Sequence, residues 1–166
     1  MATALRDSSS FSPGGAILAI DYGRKRLGLA LSDENGATSQ PFATWSRTNR
    51  RQDLARLREL VSKHGIRRIV VGLPLHLDGT PSEMSREATQ FASRVEKALG
   101  VRVTLMDERL TSWEAAQTLK SANPASKRRL APGSRHKRKT ALDHVAAAVI
   151  LRDYLDQANR ETGKRD

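Results

Sequence analysis

Cysteine is absent from the 166-residue chain, and long hydrophobic segments are absent as well. Without cysteine there are no disulfide bonds, no thiolate metal sites and no cysteine nucleophile. No apolar run approaches the roughly 18 residues that a membrane-spanning helix needs. The N-terminal sequence MATALRDSSSFSPGG has neither the basic nor the apolar segment of a secretory signal peptide. We therefore expect a cytoplasmic protein that is not embedded in a membrane.

Acidic residues are outnumbered: 18 Asp and Glu stand against 29 Lys and Arg, so the net charge is +11. Such an excess favours a polyanionic partner, because Lys and Arg neutralise phosphates and release their counterions. We predict that this partner is nucleic acid; the alternative is a basic surface that serves solubility. No acid occurs between Glu114 and Asp143, whereas this segment contains the basic residues Lys120, Lys127, Arg128, Arg129, Arg135, Lys137, Arg138 and Lys139.

Internal repeats and low-complexity linkers are also missing between residues 16 and 157, so a second domain has no place to begin. A chain of this length is enough for one hydrophobic core. We predict one domain over residues 16–157, with a basic loop at about 121–140. Residues 1–15 are rich in Ser, Pro and Gly and are predicted to form a disordered arm, and residues 158–166 a frayed tail.

Hydrophobic periodicity predicts an α/β fold. Short apolar runs such as AILAID and RRIVVGL are typical of strands buried on both faces, whereas DLARLRELV repeats at helical spacing. The first three strands are joined by short turns and should pair antiparallel, and the last two each follow a helix and should be parallel. The predicted strands span 16–21, 26–33, 38–45, 67–74 and 101–108, and the predicted helices span 49–65, 81–99, a segment after 111, and about 140–157. Together they predict a five-stranded mixed sheet with helices on both faces.

Acidic side chains stand at the ends of predicted strands: Asp21 ends the first, and Asp107 and Glu108 end the fifth. Asp143 lies in the predicted first turn of the last helix. The ends of parallel strands meet at one edge of an α/β sheet, where ligands usually bind. An acid on a strand that is buried on both faces has few structural explanations, so Asp21 is the strongest candidate for a functional residue.

Clustered, half-buried carboxylates repel one another, so they take up protons or hold a cation. Their oxygen ligands suit Mg²⁺ or Mn²⁺, and one or two such ions can activate water for phosphodiester hydrolysis. This chemistry also explains why a basic protein keeps an acidic site, because the acids would bind metal while Lys and Arg bind the polyanion.

Two of these assignments have alternatives, one at Asp143 and one at the end of the fifth strand. Thr140-x-x-Asp143 matches a helix-capping arrangement, which would place an acid there without any catalytic role. Strand alternation places Asp107 and Glu108 on opposite faces of the fifth strand, but it does not say which of them points to the site.

Four motifs, AIDYGRKRLGLALSD, VVGLPLHLDGT, MDERLTS and ALDHVAAAVILRDYL, together resemble the YqgF/RuvX family of RNase H-like nucleases over residues 16–157. The resemblance implies an RNase H-like fold and a divalent-metal nuclease site, with Asp21, Glu108 and Asp143 as the catalytic and metal-binding residues. It implies processing of the 5′ end of pre-16S rRNA, with ribosomal precursor particles as partners, or resolution of Holliday junctions in branched DNA. Like its family, the chain has Gly72-Leu73-Pro74 where many RNase H-like nucleases have a carboxylate, so the superfamily mechanism does not transfer unchanged.

Basic and hydroxyl side chains near the acids are candidates for nucleic-acid binding. Arg109 could hold a scissile phosphate through its guanidinium fork, or form a surface ion pair instead. Thr111 could contact the same phosphate, or simply cap a helix. The remaining candidates are Arg24 and Lys25 beside the first strand, and Lys127, Arg128, Arg129, Arg135, Lys137, Arg138 and Lys139, a segment without aromatic residues for base stacking.

Two other functions match part of this pattern. A nucleic-acid-binding factor with weak or no cleavage would share the basic charge, but the presence of all three acids counts against it. Sugar kinases and actin-like ATPases also begin with an Asp-x-Gly strand, but they close two such domains on a nucleotide, and this chain has the length of one.

Overall fold

Five strands form one mixed sheet in the order β3-β2-β1-β4-β5. The computed structural model describes residues 14–110 and 134–162, and for residues 110, 134–142 and 162 it describes the backbone alone. The predicted helix after Thr111, most of the predicted N-terminal arm and the first part of the basic loop lie outside the described residues. The strands are β1 (Ala16–Tyr22), β2 (Arg26–Ser32), β3 (Ser39–Ser46), β4 (Ile66–Leu73) and β5 (Arg102–Asp107).

The first three strands pair antiparallel, as predicted. In the β1–β2 hairpin, Asp21 stands opposite Gly28. The last two strands are parallel to β1, since β4 pairs with β1 and β5 pairs with β4 in parallel register. This arrangement brings the carboxyl ends of β1, β4 and β5 to one edge of the sheet.

Two helices provide the parallel crossovers, α1 (Arg50–His64) and α2 (Glu83–Leu99). The Asn49 side chain caps α1 by accepting a hydrogen bond from the Gln52 amide, and Gly65 ends the helix in the left-handed conformation at φ 58°. The Ser82 side chain caps α2 by accepting a hydrogen bond from the Ser85 amide, so α2 begins two residues after the predicted start at residue 81.

The sheet is covered on both faces, as the apolar β1 predicted. On one face, Leu18 and Ile20 pack with residues of α1 and α2, such as Leu57 and Val95. The other face is covered by the last helix, α3 (Ser134–Thr162), through a second cluster that includes Ile17, Ala19, Val70, Ala147, Ile150 and Leu151. Asp21 has the same parity as Ile17 and Ala19, so its side chain belongs to the α3 face.

The bounds of the last helix differ from the prediction. α3 begins at Ser134 rather than near Thr140, and it ends at Thr162 rather than near Gln157. Residues 134–139 contain neither Pro nor Gly, so no helix-breaking residue delays the start. Asp143 is therefore in the third turn of α3, and the helix-capping interpretation of Asp143 is wrong. The predicted loop at 121–140 is helical from residue 134 onward. None of the helices in the described residues combines the length and hydrophobicity that a bilayer crossing requires.

Candidate active site

The three predicted acids come from three elements that meet at the carboxyl edge of the sheet. Asp21 is the second-last residue of β1, and Glu108 opens a short 3-10 turn, Glu108–Leu110, directly after β5. Asp143 lies on α3, which packs against β1 and β2. All three residues are half-buried. The structure thus brings together the side chains that the sequence motifs indicated.

Gly28 allows α3 to approach this edge. A Cβ atom at position 28 would overlap the backbone carbonyl of Asp143, so any larger residue would push the helix away. Because Gly28 stands opposite Asp21 in the hairpin, the close approach sets Asp143 beside Asp21. Sequence periodicity did not identify this glycine, which looks like any small residue on an apolar strand.

Gly72 makes room for the second acid. A Cβ atom at position 72 would overlap the Glu108 carboxylate and would lie 2.8 Å from Cδ1 of Ile150. The Glu108 side chain therefore occupies the space that a side chain at the end of β4 would need. This packing gives a physical reason for glycine at the place where many RNase H-like nucleases have a carboxylate.

The electrostatics of the site follow from burial and like charge. Burial, together with the negative charges of Glu108 and Asp143, raises the pKa of Asp21 to about 8. Burial, together with the charge of Asp107, raises the pKa of Glu108 to about 7. Without a bound cation, the site therefore holds protons near neutral pH, as expected for clustered carboxylates.

Asp143 has a cationic neighbour that the sequence analysis missed. The Arg26 Nε atom lies 2.9 Å from Oδ2 of Asp143 and forms an ion pair with it. This oxygen is buried, and within the described part of the chain no donor is aligned to hydrogen-bond it. The hairpin register could have indicated Arg26, because Arg26 is next to Leu27, the partner of Tyr22, at the same edge of the sheet as Asp21.

The donor set consists of carboxylate oxygens alone, which suits a hard divalent cation. Over residues 14–110 and 134–162, however, no group of three His, Cys, Asp or Glu side chains is placed so that it could hold a metal ion. The three acids are neighbours, but their carboxylates do not converge on one point.

An open cavity of about 610 Å³ lies beside the acids. Its wall combines two acidic and three basic side chains, so groups that could ligate a metal and groups that could contact phosphate line the same space. We call it the acid cavity, and it is lined by Asp21, Tyr22, Gly23, Arg24, Lys25, Arg26, Ser46 and Asp143. Glu108 is not among these lining residues.

The predicted phosphate-binding residues have mixed surroundings. Lys25 is exposed and lines the acid cavity. Arg24 lines it too, but its guanidinium is held by Glu87 at 2.7 Å and Glu83 at 3.1 Å. These ion pairs fasten the β1–β2 turn to α2.

Arg109 also has intramolecular partners. Its guanidinium is paired with Asp107 at 2.7 Å, and Nη1 donates to the Leu77 carbonyl at 3.4 Å. The hydrogen bonds from Arg109 hold the pKa of Asp107 below its usual value. Asp107 thus has an ion-pair partner in Arg109, whereas burial raises the pKa of Glu108.

The remaining predicted contacts stay predictions. Thr111, Lys127, Arg128 and Arg129 lie outside the described residues, and Arg135, Lys137, Arg138 and Lys139 belong to the part of α3 whose side chains are not described. His144, which has no predicted role, contacts the Thr44 hydroxyl at 3.2 Å through Nδ1.

Comparison with known proteins gives consistent matches. A family model described as "RuvX: Holliday junction resolvase" matches residues 15–157. A Koribacter versatilis protein named "Putative pre-16S rRNA nuclease" is 41% identical over 143 residues, which cover 86% of this chain and 88% of the relative. A Syntrophus aciditrophicus protein of the same name is 40% identical over 146 residues, or 87% of this chain and 91% of the relative.

Among solved structures, Thermus thermophilus RuvC in complex with a Holliday junction substrate aligns with a TM-score of 0.50. The alignment covers 87% of this chain and 96% of RuvC, at 14% sequence identity. At this identity the likeness concerns the fold, and it confirms the predicted RNase H-like architecture.

Proposed function

Because this chain belongs to the RuvX family, whose relatives are named as nucleases, we propose that it is a divalent-metal-dependent endonuclease that hydrolyses phosphodiester bonds. Asp21, Glu108 and Asp143 are the proposed catalytic and metal-binding residues. The observation that carries this proposal is their meeting at one sheet edge, with the pKa values of Asp21 and Glu108 raised to about 8 and about 7.

The oxygen donors of these residues suit Mg²⁺ or Mn²⁺, as one ion or two. All proposed ligands are carboxylate oxygens, and the buried Oδ2 of Asp143 accepts no hydrogen bond from the described residues. The ion would stabilise negative charge on the phosphate and activate the attacking water. Asp21 and Glu108 must lose their protons to become ligands, and their carboxylates must turn toward Asp143, which Arg26 holds in place.

The proposed substrate is structured RNA, in particular the 5′ end of pre-16S rRNA within ribosomal precursor particles. The names of the bacterial relatives support this substrate. The family description instead favours a Holliday junction, so branched DNA is the second candidate. The net charge of +11 supports a nucleic-acid substrate of either kind.

A side-by-side cleavage assay tests the proposal. Wild-type protein and Asp21→Asn are incubated with a pre-16S rRNA 5′ leader and with a four-way DNA junction, each with Mg²⁺, Mn²⁺ or EDTA. We expect the wild type to cut one of them only with metal, and Asp21→Asn to lose cleavage while still binding. Asp156→Asn, which removes an exposed acid from α3, is the matched control and should cleave normally.

Three results would contradict parts of the proposal. Cleavage in EDTA would exclude the metal requirement, and undiminished cleavage by Asp21→Asn would exclude the assigned site. Binding of both substrates without cleavage of either would identify a binding factor instead of a nuclease.

A further inference from the structure

A second cavity, of about 250 Å³, lies on the opposite face of the sheet, where α1 and α2 pack. Tyr22 lines this cavity as well as the acid cavity, so the end of β1 borders both. We call it the arginine cavity, and it is lined by Tyr22, Arg47, Arg50, Asp53, Leu54, Phe91 and Arg94. No predicted or proposed role above involves its arginines.

Arg47 is a fixed cation in this cavity. Its Nε atom donates to Oδ2 of Asp53 at 2.9 Å, and its Nη1 atom donates to the Gly23 carbonyl at 3.0 Å. The guanidinium lies over the rings of Tyr22 and Phe91, at 4.9 and 5.5 Å from their centroids. Asp53 is only 3% exposed, so the pair is an integral part of the fold. The cation is thus held in place before any ligand arrives.

Arg50 and Arg94 add positive charge that is not neutralised locally. Both side chains are exposed, and among residues 14–110 and 134–162 neither forms an ion pair with a carboxylate. Three arginines therefore share the cavity with a single aspartate. Like charges that converge in a concave site attract an anion.

The size and chemistry of the cavity favour a phosphate group. At about 250 Å³ it is smaller than the 300–1,000 Å³ typical of pockets for drug-sized ligands, so a phosphate fits better than a whole nucleotide. The faces of Tyr22 and Phe91 are covered by Arg47, which leaves them poorly placed to stack on a base. Guanidinium forks match the geometry of phosphate oxygens.

Contacts along the chain join the two cavities. Gly23 lines the acid cavity and accepts the hydrogen bond from Arg47, and Ser46 of the acid cavity directly precedes Arg47. A polyanion that occupies the acid cavity would therefore reach the arginine cavity by passing over the β1–β2 turn.

We propose that the arginine cavity binds a backbone phosphate of the nucleic-acid substrate, flanking the phosphate that lies at Asp21. This inference rests on the proposed function, from which it takes nucleic acid as the ligand. Arg50 and Arg94 bind the flanking phosphate, while Arg47 adds a fixed positive charge and holds the turn at Gly23.

The test compares two double variants, each of which removes two positive charges. Arg50→Gln with Arg94→Gln empties the cavity of its exposed cations and keeps the Arg47–Asp53 pair. Arg67→Gln with Arg102→Gln is the control, because these exposed arginines lie at the amino ends of β4 and β5, away from both cavities. Each pair is introduced into Asp21→Asn protein, and binding of the rRNA leader and the DNA junction is measured in EDTA from 50 to 300 mM salt.

We expect the cavity variant to bind about tenfold more weakly at 150 mM salt, with the slope of log K against log salt reduced by about 1.5. The control should change the affinity by less than about threefold. An equal loss in both variants would show an effect of net charge and would overturn the proposal, and so would unchanged binding by the cavity variant.

A second arm separates the sources of phosphate. Calorimetric titration with inorganic phosphate is run on the Asp21→Asn protein and on the cavity variant. If phosphate binds only when Arg50 and Arg94 are present while nucleic-acid affinity does not depend on them, the cavity is a small-anion site and the backbone assignment is overturned. All binding is measured in EDTA, so a wrong active-site assignment would not change it and would appear only in the separate cleavage assay with metal, as residual cleavage by Asp21→Asn.

Discussion

Asp21 and Gly28 face each other across the β1–β2 hairpin, and the backbone of Asp143 fills the space beside Gly28 that a side chain would need. This relationship couples the packing of α3 to the geometry of the candidate site. It makes a glycine without any chemical function a determinant of where an acid lies.

Gly28→Ala should therefore impair cleavage more than folding. The added methyl collides with the Asp143 carbonyl and displaces α3, which we expect to lower the free energy of unfolding by about 1–3 kcal/mol. Cleavage by the folded protein should fall at least about 100-fold, because Asp143 moves away from Asp21. Urea unfolding and single-turnover cleavage measure the two effects.

Gly100→Ala is the control for this experiment. Gly100 has a φ of 66° and no atom within 4 Å of its Cβ position, so alanine costs about 1 kcal/mol of backbone strain at the far end of α2. Its specific cleavage rate should match the wild type. If both variants lost activity in proportion to stability, Gly28 would have no special link to the site.

Glu108 and Asp107 should respond differently to neutralisation. Glu108→Gln removes a half-buried acid whose negative charge acts on Asp21, so we expect kcat to fall at least about 100-fold. Asp107→Asn removes an acid that pairs with Arg109, and we expect a loss of less than about tenfold. Metal-dependent cleavage under saturating substrate distinguishes them, and the reverse order would assign the site to Asp107.

The metal-free protein should lose stability as the pH rises. Asp21 has an ordinary pKa of 3.8 and a folded pKa of about 8, so the folded state binds more protons than the unfolded state between these values. The free energy of unfolding therefore falls from about pH 4 to pH 8, and Glu108 adds to this trend up to about pH 7. Asp21→Asn removes the larger contribution.

Thermal unfolding in EDTA checks this prediction. Asp21→Asn should melt at least about 3 °C above the wild type at pH 8.5, with a smaller difference at pH 5. Asp156→Asn controls for the loss of a negative charge. A difference that is the same at both pH values would show that Asp21 does not carry a raised pKa.

Metal binding should release protons. Near pH 7, Asp21 and Glu108 are partly protonated, and a divalent cation must displace these protons before the carboxylates can ligate it. Between pH 6 and pH 8, each proton that is released should raise the affinity for Mn²⁺ by about tenfold per pH unit. Calorimetry in buffers of different ionisation enthalpy counts the protons, and an affinity independent of pH would contradict the proposed ligands.

The local pattern of hydrophobic residues in the sequence was enough to predict the architecture. The doubly buried β1 follows from AILAID, and the order of strands and helices follows from the change of hydrophobic period, because burial acts on neighbouring residues. The same pattern indicated that Asp21 is unusual. It did not decide between Asp107 and Glu108, where the family motif favoured Glu108 and the Arg109 pair then accounted for Asp107.

Tertiary structure alone decided how the acids are held. Four features join residues that are distant in the chain: the approach of α3 at Gly28, the space at Gly72, the Arg26–Asp143 pair and the arginine cavity. Hydrophobic periodicity cannot reveal such contacts, because it reports only on neighbouring residues. The start of α3 was misplaced for a related reason, since a capping pattern at Thr140 is a local signal and the helix simply continues through it. Residue chemistry indicated which groups could act, and long-range packing determined which of them meet.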